Sequence, residues 1–278
     1  MKYGFVTCVE LGLSCIRAIY EANGRLDLVI TLEDHIASKK SGRVYLDEFC
    51  QEKSINLVKC RHINEEQIVN AISEKNIDWL FIIGWSQIAG RKVLTSAAKG
   101  VLGMHPTLLP VGRGRAAIPW AILKRLPKTG VTLFKMDEGV DTGLLGSHIE
   151  IPISIDETAT SLYQKVNQAH YELMMRTICL LENDSMFFVE QDESKATEWP
   201  GRKPDDGLIN LNGSVKEAEL LVRAVTHPYP GAFFFSGGEK VTVWKARLVS
   251  SDYTGDTLDF FDGKLELLET SRDINSNV

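Results

Sequence analysis

Two features of the sequence have residue types and spacing suited to acid/base chemistry. They are a histidine and a short acidic segment. His105 lies in a loop bounded by prolines, HPTLLP. The carboxylates of the segment DEGVDTG are Asp137, Glu138 and Asp141. An imidazole gains and loses a proton near neutral pH, and a carboxylate beside one ring nitrogen orients the ring and stabilises its charged form. We therefore predict an acid/base pair between His105 and a carboxylate of this segment.

The elements that must position this pair follow from the pattern of the first half of the chain. KYGFVTC, LDLVITL and DWLFIIGW predict strands, whereas LGLSCIRAIYEA and EEQIVNAISEK predict helices. Such alternation predicts an α/β fold with a mostly parallel sheet covered by helices. KGVLGM predicts a further strand, and the loop HPTLLPVGRGR follows it directly. Ligands of open sheets bind beyond the carboxyl ends of the strands, so the loops of FIIGWSQ and GMHPTLLP are predicted to reach the site.

The second half predicts the domain organisation. TGVTLFKM and LLGSHIEIPI predict two strands, and the amphipathic segment from Glu157 to about Glu182 predicts a long helix that closes a catalytic domain over residues 1–182. Residues 183–206 are rich in charge, Gly and Pro and predict a linker. Residues 207–278 predict a small β-rich domain with a hairpin turn at GGEK.

The composition limits which partners and which cellular location we expect for this protein. The 37 acidic and 31 basic residues give a net charge of -6, which disfavours nucleic acid as a partner. The five cysteines are scattered and never in a C-x-x-C spacing, so we expect reduced thiols and no metal site. Charged residues interrupt the N-terminal apolar run, and no apolar stretch is long enough to cross a bilayer, so we expect no signal peptide, no membrane association and a cytoplasmic location.

A longer pattern brings these residues into one known family. HPTLLPVGRGRAAIPWAIL, followed by TGVTLFKMDEGVDTG, resembles the signature of the folate-dependent formyltransferases. This family includes methionyl-tRNA formyltransferase, glycinamide ribonucleotide transformylase and the nucleotide-sugar N-formyltransferases. CVELGLSCI, FIIGWSQI, RKPDDGLI and RAVTHPYPGAF extend the resemblance over nearly the whole chain. It implies a Rossmann-like domain with a parallel-rich sheet flanked by helices, and a small β-rich, OB-like C-terminal domain.

The resemblance also implies roles for individual residues. The family's catalytic histidine and aspartate fall on His105 and Asp141, and its formyl donor is 10-formyltetrahydrofolate, which leaves as tetrahydrofolate. The residues implied to bind the folate are Ile83, Gly84, Trp85, Ser86, Ile88, Arg113, Gly114, Arg115, Ala116 and Val140. The residues implied to bind the acceptor substrate are Lys39, Met104, Pro106, Thr107 and Tyr229.

One position departs from the family pattern. The family's catalytic asparagine lies two residues before the histidine, where this chain has Gly103. Loss of a hydrogen-bond donor to the oxygen of a tetrahedral intermediate typically costs about 100- to 1000-fold in rate. Ser86 and Gln87 are the polar candidates that could compensate. A non-catalytic module that binds folate or a sugar nucleotide is the alternative interpretation.

Three molecules could accept the formyl group: an amino sugar, methionyl-tRNA and water. The small C-terminal domain and RAVTHPYPGAF resemble the sugar-modifying members, which implies a nucleotide-linked amino sugar. The acidic balance disfavours methionyl-tRNA, although Lys39, Lys40 and Arg43 keep that alternative open. Water as acceptor is disfavoured because the hydrolases carry a regulatory domain ahead of the catalytic one, whereas this sequence begins with the first predicted strand. Family members often form dimers, so a homodimer is considered too.

Overall fold

The computed structural model describes residues 1–37 and 42–272. Two compact units divide the chain: the first holds residues 1–114, 130–151 and 166–198, and the second holds 115–129, 152–165 and 199–278. The predicted limits of 1–182, 183–206 and 207–278 assume that the domains follow one another along the chain. The segments of the two units instead alternate along the chain, because two short segments, 115–129 and 152–165, group with the C-terminal residues.

A seven-stranded sheet forms the first unit, in the order β3-β2-β1-β4-β5-β7-β8. The strands up to the start of the C-terminal residues are β1 (Tyr3–Val6), β2 (Leu26–Leu32), β3 (Asn56–Cys60), β4 (Trp79–Ile82), β5 (Gly100–His105), β6 (Arg113–Gly114), β7 (Lys128–Lys135), β8 (Leu144–Pro152) and β9 (Glu198–Trp199). The first five strands pair in parallel, whereas β7 runs antiparallel to β5. The predicted mostly parallel sheet is confirmed.

Helices cover this sheet and continue into the second unit. They are α1 (Glu10–Glu21), α2 (Asp34–Ala37), α3 (Asp47–Glu52), α4 (Glu66–Glu74), α5 (Arg91–Leu94), α6 (Ala117–Leu123), α7 (Ala159–Glu182) and α8 (Val215–Val225). The long helix predicted from Glu157 to about Glu182 is α7, and its predicted apolar stripe, which includes Leu162, Val166 and Leu173, is buried.

The centre of the sheet explains its uninterrupted apolar sequence. Every residue of β1, β4 and β5 is buried. A parallel strand with helices on both faces has no solvent side, so its sequence loses the polar alternation of a surface strand. Ile68 and Ile72 of α4 pack into the same core as Leu80 of β4.

An antiparallel sheet dominates the second unit, in the order β10-β11-β13-β12. Its strands are β10 (Ala232–Ser236), β11 (Glu239–Val249), β12 (Thr257–Phe260) and β13 (Gly263–Arg272). Gly237 and Gly238 join β10 to β11 and both have positive φ, 60° and 88°. Two consecutive residues of positive φ are what a tight two-residue hairpin requires, so the predicted turn at GGEK is confirmed.

Two further expectations concern the thiols and the membrane. All five cysteines are free, and all except Cys179 are buried. No helix within residues 1–37 and 42–272 is both long and apolar enough to span a membrane.

The predicted linker is more ordered than its composition indicates. Val189 forms an antiparallel bridge with Leu145 of β8, and β9 begins at Glu198. Between them, Asp192 caps a single 3-10 turn, Glu193–Lys195, by accepting a hydrogen bond from the Ser194 amide. This part of the first unit therefore contributes fixed side chains rather than a free connection.

Candidate active site

His105 is the last residue of β5 and is held from two sides. Its Nδ1 atom lies 3.4 Å from Oδ2 of Asp141, and its Nε2 atom lies 2.8 Å from the carbonyl oxygen of Gly112. A carbonyl oxygen can only accept, so Nε2 is the donor in that contact. The residue is buried, with 7% of its surface exposed.

Asp141 is the carboxylate that meets the histidine. Its Oδ2 atom also accepts a hydrogen bond of 2.9 Å from the Gly114 amide. The residue has φ 56°, a left-handed conformation that Asp tolerates better than most non-glycine residues. Asp137, by contrast, accepts from the Gly139 amide and the Thr142 hydroxyl within its own turn. The structure thus selects Asp141 from the predicted acidic cluster.

A network behind Asp141 joins three separate segments. The side-chain amide of Gln191 donates to the carbonyl oxygens of Asp141 and Gly143, both at 2.8 Å. The Gln191 Oε1 atom accepts from Nε and one terminal nitrogen of Arg113, at 3.2 and 2.7 Å. Arg113 is buried and also binds Glu193 through both terminal nitrogens. The hydrogen bond with Glu193 raises the pKa of Arg113, and the same contact lowers the pKa of Glu193.

Neighbouring side chains occupy the space into which an asparagine at position 103 would extend. Gly103 and His105 face the same side of β5 because they are two residues apart. Gly103 pairs with Phe134 of β7, and a Cβ atom at position 103 would lie 2.9 Å from the Phe134 ring. Met136 closes the same space from further along the chain. The ring of Phe134 therefore stands against the strand where a larger residue would have extended.

The loop predicted to bind the folate follows β4 directly. Ile82 pairs with Gly103, so the loop starts beside the site-bearing strand β5. Gly84 has φ 67°, and a Cβ atom there would lie 2.5 Å from Val9, so this turn requires glycine. The Trp85 Nε1 atom is shielded from solvent and has no hydrogen-bond partner within the described part of the chain.

The other residues predicted in this loop differ in their exposure and in their hydrogen bonds. Ile88 is 72% exposed, and Ser86 is exposed as well, whereas Ile83 is buried. Gln87, one of the two candidates for replacing the asparagine, uses both ends of its amide elsewhere: it accepts from the Ile63 amide and donates to the Arg61 carbonyl. Gln87 therefore holds the neighbouring loop.

Three predicted substrate residues surround His105 in sequence. Met104 faces the opposite side of β5 from His105 and is 8% exposed. Pro106 is half-buried, and Thr107 is buried with its amide donating to the His105 carbonyl and its hydroxyl oxygen unpaired among the described residues. Their contacts with a substrate stay predictions.

The remaining predicted residues lie elsewhere. Val140, next to Asp141, is 54% exposed and belongs to the first unit. Arg115, Ala116 and Tyr229 belong to the second unit, where Ala116 and Tyr229 line one small cavity. Burial raises the pKa of the Tyr229 hydroxyl. Lys39 lies outside the described residues.

Two groups of residues were missed from the sequence. Gln191 and Glu193 were assigned to the linker, and only the motif QDE at the end of a charged stretch could have indicated them. His170 of α7, which was not selected from the sequence, forms hydrogen bonds with the backbone of Val166 and Met104. Burial lowers the pKa of His170 to about 4, so it is a neutral packing residue at physiological pH.

Two family models match this chain. A family model described as formyl transferase matches residues 21–178, more than half of the chain, and a model described as the formyl transferase C-terminal domain matches residues 202–273. Both parts of the chain thus match models of one family, in the order in which the domains were predicted.

Solved structures share the fold over almost the full length. An N-formyltransferase from Helicobacter canadensis, in complex with folinic acid and dTDP-3-aminofucose, superposes with a TM-score of 0.70 at 17% identity and covers 98% of this chain and 100% of its own. A 4-N formyltransferase from Francisella tularensis gives 0.70 at 23% identity, covering 87% and 96%. HypX from Aquifex aeolicus gives 0.70 at 16% identity, and this chain spans 44% of its length. At these identities the likeness concerns the fold.

Proposed function

This chain belongs to the formyl transferase family, and on that premise we propose that it transfers the formyl group of 10-formyltetrahydrofolate to the amino group of a nucleotide-linked amino sugar. The products are tetrahydrofolate and an N-formylated sugar nucleotide, a precursor of a cell-surface glycan. The observation that carries the proposal is the contact between His105 and Asp141 at the end of β5. A positioned acid/base pair is what formyl transfer to an amine needs.

The loop after β4 supports folate as the donor. The side chain of Ile88 gives an exposed apolar surface suited to a flat heterocycle. Val140 adds a second exposed apolar side chain directly beside Asp141. These residues fit a pteridine ring without requiring a charged partner.

The proton transfers that the reaction requires define the proposed role of His105. The C–N bond to the amine forms and the C–N bond to N10 of the folate breaks, so the amine must lose one proton and N10 must gain one. With Nε2 donating to the Gly112 carbonyl, Nδ1 is the ring nitrogen that is left to take up a proton. The proton taken from the amine then lies between Nδ1 and Asp141 Oδ2 before it passes to N10.

The amino sugar as acceptor rests on charge and likeness. The net charge of -6 is a poor match for the broad phosphate surface of a tRNA. The Helicobacter canadensis structure, which this chain matches over its full length, holds a dTDP-linked amino sugar together with a folate. These two facts favour a sugar nucleotide over methionyl-tRNA as acceptor.

The test is an acceptor screen read by mass spectrometry. Purified protein and 10-formyltetrahydrofolate are incubated with a panel of nucleotide-linked amino sugars, with methionyl-tRNA and with buffer alone. We expect one amino sugar to gain the mass of one CO, and we expect His105→Gln to abolish that gain while folate binding, followed by fluorescence, is retained.

Controls separate the alternatives. His148→Gln removes an exposed histidine of β8 and should keep the wild-type rate. Formylation of the tRNA alone would replace the sugar as acceptor, and loss of the formyl group in buffer alone would indicate hydrolysis. Folate binding without transfer to any acceptor would make the chain a binding module, with Gly103 as the reason.

A further inference from the structure

Gln191 has no role in the acid/base chemistry, yet its side chain meets the two segments that hold Asp141. Its Nε2 atom donates to the carbonyl oxygens of Asp141 and Gly143, so it spans the turn that carries the carboxylate. Its Oε1 atom accepts from Arg113, whose neighbour Gly114 donates its amide to Asp141 Oδ2. One amide group thus connects the backbone of Asp141 with the strand that binds its side chain.

The orientation of this amide is determined by its partners. Carbonyl oxygens can only accept and a guanidinium can only donate, so the oxygen of Gln191 must face Arg113 and its nitrogen must face the turn. Both hydrogens of the Gln191 amide and both acceptor sites of its oxygen are engaged. Glu193 holds the other side of the Arg113 guanidinium and so orients the donor.

The turn needs such support because of its backbone. Asp141 has φ 56°, a left-handed conformation that Asp tolerates better than most residues but that still costs more free energy than an ordinary backbone conformation, so contacts around the turn help to hold it. Its carboxylate also lies 3.4 Å from His105, so a small rotation of the turn would separate the two groups. Displacement of a reacting group by about 1 Å can cost about 100-fold in rate.

We infer that Gln191 is a positioning residue for Asp141, with Arg113 and Glu193 orienting its amide; this inference rests on the proposed function for its effect on turnover. The three residues form a bracket, defined here as Arg113, Gln191 and Glu193. The bracket touches neither His105 nor the carboxylate oxygens of Asp141. It acts by holding the Asp141 backbone and, through Gly114, the donor to its side chain.

The test uses Gln191→Glu, which keeps the shape and removes both donors. Its carboxylate would still attract Arg113 but would repel the carbonyl oxygens of Asp141 and Gly143. We expect kcat to fall about 10- to 100-fold with KM for 10-formyltetrahydrofolate changed less than about 3-fold. Gln164→Glu, at an exposed glutamine of α7, is the matched control and should keep both constants.

A double-mutant cycle separates positioning from a general structural role. In an Asp141→Asn background, the substitution Gln191→Glu should cause no further loss of kcat, because the group that it positions has already been disabled. An equal loss in both backgrounds would overturn the inference. Thermal unfolding of each variant checks that the protein is folded.

A readout without substrate distinguishes this inference from the proposed function. The ring 15N chemical shifts of His105 report its contact with Asp141, and we expect them to change in Gln191→Glu and not in Gln164→Glu. If the wild type formylates no acceptor and these shifts still change, the proposed function fails and the bracket stands. If the shifts and kcat are both those of the wild type, the bracket fails.

Discussion

The carboxylates of Glu157 and Asp141 both have low solvent exposure, and they are held in opposite ways. Glu157, in the second unit, is 2% exposed and accepts hydrogen bonds from Ser154, Ser161 and Lys165, all within eight residues along the chain. Asp141, in the first unit, has a side chain that is 17% exposed and meets Gly114, 27 residues away, and His105.

The difference supports the proposal that Asp141, and not Glu157, takes part in the chemistry. Burial alone would raise the pKa of Glu157, but the hydrogen bonds from Lys165, Ser161 and Ser154 outweigh it and lower that pKa. With local donors around it, Glu157 stabilises the start of α7. Asp141 binds fewer donors, faces a histidine and keeps part of its surface open. A carboxylate assembled from distant segments and left partly open can serve a substrate; one surrounded by local donors serves the fold.

The largest expected effect is on turnover at Asp141. Asp141→Asn keeps the acceptor for the Gly114 amide and suits the left-handed backbone, but it places an amide where the carboxylate faced Nδ1 of His105. We expect kcat to fall about 1000- to 10,000-fold, as for loss of the carboxylate in a comparable pair. The free energy of unfolding, measured in urea, should change by less than about 1 kcal/mol.

At Glu157 we expect the opposite result, with an effect on stability and almost none on turnover. Glu157→Gln should leave kcat within about 2-fold and lower the free energy of unfolding at pH 7 by about 2–3 kcal/mol, because Lys165 and the serines lose a charged acceptor. If turnover fell at Glu157 and stability fell at Asp141, the distinction between the two carboxylates would be lost.

The pH dependence sharpens the same prediction. The pKa of Glu157 is lower in the folded protein, so its contribution to stability is present above the ordinary carboxyl pKa of 4.5 and is lost as the pH falls below that value towards the folded pKa. The difference in unfolding free energy between the wild type and Glu157→Gln should therefore shrink below pH 4.5. A constant difference down to acid pH would contradict the assignment.

The smallest effect is expected at Gly103, where the neighbourhood of His105 is closed by packing. In Gly103→Ala, the new Cβ atom would lie 2.9 Å from the Phe134 ring, which must shift. We expect a loss of about 1 kcal/mol in unfolding free energy, since overpacking is partly offset by the reduced entropy of the unfolded chain. Adding Phe134→Leu should restore part of this loss; no recovery would show that the ring is not the obstacle.

Sequence reasoning reached the two central residues by different routes. His105 followed from its loop after a predicted strand, because strand periodicity is a local property of the chain. The residues alone could not choose among Asp137, Glu138 and Asp141; the choice of Asp141 came from the family resemblance. The structure supports that choice by closing Asp137 within its own turn.

The predicted linker shows what composition did not reveal. Charge, Gly and Pro in residues 183–206 predicted a surface crossing, yet Gln191 and Glu193 bind Arg113 at short range. Composition reports how well a segment is solvated and does not reveal that its side chains satisfy a buried guanidinium far away in sequence. The packing of Phe134 against Gly103 was equally invisible, since it depends on the antiparallel register of β5 and β7.

By itself, the sequence determined the class of fold, the strand that leads to His105, the long helix α7 and the hairpin at GGEK. Each of these depends on the periodicity or turn chemistry of neighbouring residues, which are local and cooperative. Only the tertiary structure decided which carboxylate meets His105, what fills the space beside Gly103 and what holds the Asp141 turn. Those contacts join residues far apart in the chain, and their geometry is fixed by strand order, register and packing.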